Sequence, residues 1–220
     1  MHAQVVLFDG FDPLDVIAPY EVLNAGGIAA AGALTVELVS AEGPREVPAG
    51  VPGVSLRAAA GLDPERADLV IVPGAAGRIS PDSAGDTPTI PELLERAART
   101  GLTPLLREAL ARPTVTVGTV CGGSMLLGMA GLITGRHATT HVMGLAGFAA
   151  TGVVVTDARV VDDGDLVSAG GVTSGLDLGL HLLERQLGPR VARSVERLFE
   201  YERRGVVWRH AGLDPGRRLT

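Results

Sequence analysis

Lysine is missing from this chain: all 19 basic residues among its 220 are arginine. That excludes a lysine Schiff base and the P-loop lysine that grips nucleotide phosphates. Cysteine occurs once, at Cys121, so neither an intramolecular disulfide nor a cysteine-rich zinc site can form. The five histidines contain no HExxH pattern, and the one close pair is His137 and His141. Metal sites built from the five histidines and the carboxylates stay open on composition alone, but no metal and no cofactor is expected. Aromatics are scarce at 3%, yet 46% of the residues are apolar, which fits one packed α/β domain filled by aliphatic side chains. No apolar run is long enough to span a membrane, and no basic segment followed by an apolar stretch opens the chain. The expectation is a cytoplasmic protein without membrane contact. With a formal charge of -6 and no basic stripe, no nucleic-acid partner is expected either.

What is present is an alternation of short β-branched runs with longer helical patterns, the order of βαβ units around a parallel sheet. Gln4 to Phe8 reads as the first strand. A helix follows from Pro13 to about Asn24, with Asp12 as N-cap, Pro13 at N1 and Gly26-Gly27 as its close. Thr35 to Ser40 reads as a strand, Val47 to Arg57 as a hairpin turning at Pro52-Gly53, and Asp68 to Val72 as a core strand. Ser80 to Pro91 carries the composition of a surface loop, with helical segments after it to about Ala111. Thr114 to Val120 reads as a central strand and Ser124 to Ala130 as a helix. Asp157 to Ser168 reads as a strand pair turned at Asp163-Gly164, and Thr173 to Gln186 as a helix. A last helix, Pro189 to Arg203, puts Val191, Val195, Leu198 and Phe199 on one face. Residues 1–204 are read as one domain and 205–220 as a C-terminal tail.

Cys121 falls where a valine strand meets Gly122-Gly123 and then helix formers. A residue in such a turn projects at the C-terminal edge of the sheet, where open α/β folds place ligands. The helix that follows would turn its free N–H groups toward the sulfur and favour thiolate. A small cysteine simply buried at a strand end is the competing reading. The hydrolase elbow G-x-S-x-G is only half matched, since Gly123 is present but Thr119 stands where its first glycine would be. Asp15 is the candidate acid, although Asp12-Pro13-Leu14-Asp15 also has the spacing of a capping box. The turn Pro73 to Gly77 either aims backbone N–H groups at a developing anion or is only a tight turn. His137 and His141 are each a candidate partner for the thiol or an ordinary histidine.

The strings LFDGFDPLDVIAPYEVL, VIVPGAAG, VCGGSMLLGMAGLITGRHATTH and SAGGVTSGLDLGLHLLE, in that order, resemble the ThiJ/PfpI superfamily, and within it the isonitrile (isocyanide) hydratase branch. The resemblance implies a flavodoxin-like three-layer sandwich with a mostly parallel sheet and a nucleophile elbow, assembled as a homodimer. It places Cys121 on the nucleophile and Asp15 on the acid beside it. Gly74, Ala75 and Gly122 fall on the oxyanion and substrate-binding positions, joined by His141 and Gly171. Gly122 stands where hydratases of this branch carry threonine and peptidase-like members carry histidine, which disfavours peptidase chemistry. Val142 stands where tryptophan is common.

The activity implied is that of a cofactor-free hydratase, classed as a lyase, acting on isonitriles or a similar small electrophile. The Cys121 thiolate attacks the isonitrile carbon, Asp15 supplies a proton and later helps activate water, and the thioimidate hydrolyses to an N-substituted formamide. Two rivals keep Cys121 but change its use. One is a glyoxalase-like reaction on small dicarbonyls; the other is ligand or redox sensing without turnover, as in amidase-like regulator domains.

Overall fold

The computed structural model describes residues 1–79 and 87–211. Its first half alternates strand and helix: β1 (His2–Leu7), α1 (Pro13–Ala29), β2 (Thr35–Ser40), the hairpin strands β3 (Arg45–Pro48) and β4 (Ser55–Ala58), β5 (Ala60–Gly61) and β6 (Leu69–Val72). Then come α2 (Ile90–Ala98), α3 (Leu102–Ala111), β7 (Thr116–Val120), α4 (Gly122–Met129), β8 (His137–Ala138), α5 (Leu145–Ala150) and β9 (Val154–Val155). The chain continues through β10 (Val160–Asp162), β11 (Leu166–Ala169), α6 (Ser174–Leu187), α7 (Pro189–Leu198) and β12 (Trp208–Arg209).

Eight strands form one sheet in the order β12-β10-β11-β7-β6-β1-β2-β5. Among the described residues of this sheet, only the β10–β11 pair is antiparallel, turned at Gly164 with φ +86°. Every residue of β6, β7 and β11 is buried, as expected of parallel strands covered on both faces. Helices α1, α6 and α7 pack together as one group and α2, α3 and α4 as another, so the sheet is flanked by helices and the flavodoxin-like expectation holds. Among the described residues no helix is long and apolar enough to cross a membrane.

Local chemistry explains most element ends. Asp12 caps α1, its Oδ1 accepting from Leu14 N–H at 2.9 Å with Pro13 in the first turn. Thr89 and Glu92 form a full capping box on α2; residues 80–86 of the expected surface loop lie outside the described residues.

Three readings change. Helix α1 does not close at Gly26-Gly27 but runs to Ala29. A Cβ on Gly26 would lie 2.2 Å from Leu183 of α6, and one on Gly27 2.1 Å from the Leu34 carbonyl, so these glycines serve close packing, not termination. The last helix stops at Leu198, which is 71% exposed, and its buried face is Ala192, Val195 and Glu196. Arg193 and Arg203 pair with Glu196 there. Finally, Trp208–Arg209, within the stretch read as a tail, pairs with β10 as an edge strand.

Candidate active site

The parallel strands deliver their loops to one edge of the sheet. There β1 leads to Asp12 and Asp15, β6 to Gly74, β7 to Cys121, and β11 to Gly170 and Gly171. Cys121 has φ 55° and ψ -122°, a backbone region that costs a non-glycine residue of order 1–3 kcal/mol. Its N–H donates to the carbonyls of Ala169 at 3.0 Å and Gly170 at 2.8 Å. The next two residues differ in how strictly they must be small. A Cβ on Gly123 would lie 2.1 Å from the Val72 carbonyl, a backbone atom that cannot yield, whereas one on Gly122 would meet the Leu94 side chain at 3.2 Å.

Asp15 is fully buried. Its Oδ2 accepts from Gly74 N–H at 2.9 Å, while the Gly74 carbonyl accepts from Asp12 N–H at 2.9 Å. The capping-box alternative is therefore not formed: Asp12 caps alone, and Asp15 turns inward to the β6 loop. Two buried side-chain oxygens have no hydrogen-bond partner among the described residues, Asp15 Oδ1 and Thr119 Oγ1; both sit on elements that converge at Cys121.

Electrostatics makes the site an acid–thiol pair. Burial, with a smaller contribution from the charge of Asp12, pushes the Asp15 carboxyl up from 3.8 to about 8, against the Gly74 N–H and the Cys121 thiol, which lower it. Burial also pushes the Cys121 thiol well up, followed by the Asp15 charge, and the Gly122 N–H opposes this. The helix start thus acts in the expected direction, but burial and Asp15 outweigh it. The thiolate read from the strand–helix junction gives way to a neutral thiol beside a neutral carboxylic acid at neutral pH.

The remaining expected residues divide. The Gly74 N–H is engaged by Asp15, so Gly74 anchors the acid instead of offering an oxyanion donor. A Cβ there would also lie 2.6 Å from Gly122 N, so the two turns touch through their glycines. No acceptor among the described residues takes the Ala75 N–H. His141 caps a short 3-10 turn, its Nδ1 accepting from Met143 N–H at 3.3 Å, and its ring lies over Gly171, where a Cβ would be 3.1 Å from Cδ2. Gly171 in turn gives its carbonyl to the backbone N–H and hydroxyl of Ser174. No hydrogen bond among the described residues joins His141 to Cys121. His137 lies in another environment, its ring 4.7 Å from Trp208 and 4.6 Å from His210. Val142 is 71% exposed and Met143 63%, so no large ring covers the turn after His141.

Sequence spacing passed over the groups that hold the elbow from below. Thr140 Oγ1 donates to the Cys121 carbonyl at 2.8 Å, and Ser124 Oγ donates to the Thr139 carbonyl at 2.6 Å. Thr139 N–H donates to Ser168 Oγ at 2.9 Å. The available signal was the Thr-Thr pair directly before His141. Two clefts of about 320 Å³ lie elsewhere, one between α6 and residues 203–209 and one beside Asp162 to Gly164. Neither borders Cys121. Among the described residues no group of three His, Cys, Asp or Glu side chains is placed to hold a metal ion.

Comparison with known proteins agrees with this architecture. The DJ-1/PfpI family profile matches residues 1–185. The chain is 34% identical over 134 residues to isonitrile hydratase from Pseudomonas putida, a match covering 61% of this chain and 52% of that protein. It is 28% identical over 197 residues to the HTH-type transcriptional regulator CdhR from Pseudomonas aeruginosa, covering 88% of this chain and 53% of the regulator. The match thus spans about half the length of each of these relatives. The crystal structure of a THiJ/PfpI family protein from Pseudomonas syringae superposes with a TM-score of 0.74 at 23% identity, covering 93% of this chain and 76% of that one. The fold, the family profile and the ordered loops around Cys121 lead to one conclusion: the chain belongs to the DJ-1/PfpI family.

Proposed function

We propose that the protein is a cofactor-free hydratase of isonitriles or closely related small electrophiles, with Cys121 as nucleophile and Asp15 as acid. The observation that carries the reading is the Asp15 carboxyl, fully buried and tied to the Gly74 N–H at the edge that also carries the single thiol; burial pushes it up to about 8. It is matched by the similarity to an isonitrile hydratase. An isonitrile carbon needs a proton and a nucleophile at the same atom, and a neutral acid next to a neutral thiol supplies both.

The steps balance without an outside acid. Asp15 gives its proton to the isonitrile carbon. The sulfur bonds to that carbon as the thiol proton passes to the Asp15 carboxylate, leaving a thioimidate and a protonated acid. Water then adds across the C=N bond, and the tetrahedral adduct expels the Cys121 thiol and an N-substituted formamide. The N–H groups of Ala75 and of Gly122, the latter directed at the Cys121 sulfur, are the donors assigned to the charged nitrogen or oxygen of these adducts; Gly171 and His141 form the adjoining wall.

Formamide release from an alkyl isonitrile, followed by chromatography, tests the reading. Wild type should turn over, Cys121→Ala should not, and Asp15→Asn should fall by at least ~100-fold, the usual scale for a lost general acid. Full activity in Cys121→Ala would refute the mechanism, and preferential turnover of methylglyoxal would favour the dicarbonyl rival. The longer match to a regulator supports sensing as the second reading; it gains if the thiol binds or is oxidised with no turnover of either electrophile. A homodimer belongs to the proposal too, supported by Leu14, Ile17 and Ile28, which are exposed along the outer side of α1; light scattering measures it.

A further inference from the structure

The strained conformation of Cys121 has to be held by its neighbours. Its N–H is tied to β11 through Ala169 and Gly170, and the peptide plane after Cys121 opens α4, with Cys121 as its N-cap. The hydroxyl of Thr140 adds a side-chain bond to the Cys121 carbonyl at 2.8 Å, from a segment outside both the strand and the helix. A weaker contact comes from Ser124 Oγ at 3.3 Å, whose shorter bond goes to Thr139. Thr139, Thr140, Ser124 and Ser168 are all buried, so a partner lost from these hydroxyl–backbone bonds is not readily replaced by water. Thr140 is 19 residues from Cys121 in sequence, and no hydrogen bond among the described residues joins its side chain to Asp15.

We infer that Thr140 is a positioning residue: its hydroxyl holds the Cys121 peptide plane in the orientation that keeps the sulfur against Asp15. The inference rests on Cys121 being the reactive thiol and adds to that reading the group that registers thiol against acid. Without the hydroxyl the elbow relaxes toward an unstrained conformation, the thiol swings from the carboxyl, and the two groups stop sensing each other's charge.

The sole cysteine gives a clean readout, because alkylation by iodoacetamide reports Cys121 alone. Sulfur displaces iodide, and the thiol proton goes to buffer. The charged side chains acting on this thiol are Asp15 and, more weakly, Asp12. The experiment is the pH dependence of alkylation in wild type, Thr140→Ser and Thr140→Val, each with and without Asp15→Asn. Above pH 8, where Asp15 carries its charge, removing that charge in wild type and Thr140→Ser should raise the alkylation rate about tenfold or more. In Thr140→Val that gain should shrink to less than half of the wild-type one. A general loss of stability would not abolish the dependence on Asp15 selectively, and rescue by serine isolates the hydroxyl. Thr140→Ala, which adds no bulk, carries the same comparison if the valine variant fails to fold. An undiminished Asp15 effect in the valine or alanine variant, its loss in Thr140→Ser, or its absence in wild type overturns the inference. Isonitrile turnover is measured alongside. If wild type makes no formamide while the alkylation pattern holds, the hydratase reading fails and the positioning role stands; turnover with no such pattern does the reverse.

Discussion

Replacing Asp15 by asparagine should change how stability depends on pH more than it changes stability itself. The folded protein keeps a proton on Asp15 up to about 8, whereas the unfolded chain releases it near 3.8. Between those values the native state binds one more proton than the unfolded state, so wild-type stability falls as pH rises through this window and levels off above it. At ~1.4 kcal/mol per pH unit the full loss is roughly 5 to 6 kcal/mol, comparable to the whole stability of a marginal domain, which is about 5–15 kcal/mol. Asparagine cannot ionise. It keeps an oxygen for the Gly74 N–H but buries an amide with no acceptor, a constant cost of about 1–3 kcal/mol. Urea unfolding of both proteins from about pH 5 to pH 8 separates the two effects, because other groups titrate alike and cancel in the difference. The variant should gain on the wild type by about 4 kcal/mol across that range. A difference that stays flat would mean that Asp15 is ionised in the folded protein, and the neutral acid–thiol pair would have to be abandoned.

Two further outcomes follow from the glycines of the elbow. Gly123→Ala places a Cβ 2.1 Å from the Val72 carbonyl and should cost about 3 kcal/mol or prevent folding, at the upper end of overpacking; Gly26→Ala, which meets only the end of Leu183, should cost less in the same denaturation assay. Gly122→Thr should fold, since Leu94 need yield only a few tenths of an ångström, with a stability change within ~1 kcal/mol. It introduces the residue that the resemblance to hydratases implies there, and if the proposed hydratase reading holds, steady-state kinetics on an isonitrile should show kcat maintained or raised; a collapse of kcat would mean that Leu94 and Gly122 are tuned to each other.

Much of the fold was legible because it rests on local rules. Asp12 and Pro13 announce the start of α1, Asp163-Gly164 a tight turn, and the β-branched runs at Leu69–Val72 and Thr116–Val120 the inner strands. What failed were rules whose outcome depends on a distant partner. A glycine pair reads as a helix stop until Leu183 and Leu34 are seen pressing on it. The spacing of Asp15 reads as a capping box until the β6 loop offers it a better donor. Within the site, residue identity pointed to Cys121 and Asp15 as candidates, but the state of their protons depends on burial, which no spacing encodes. Thr140 was invisible for the same reason: its hydroxyl matters only because the chain returns 19 residues later beneath the strained carbonyl.

The small strand β12 has a consequence for handling the protein. By pairing with β10, Trp208 and Arg209 occupy backbone groups that would otherwise form an open rim on that side of the sheet. Open rims recruit strands from other molecules. A shortened version ending at residue 204, the boundary that composition alone suggests, would keep every group around Cys121 and still uncover that rim. It would be prone to stick to itself in solution, and its loss of yield could be mistaken for a defect in catalysis.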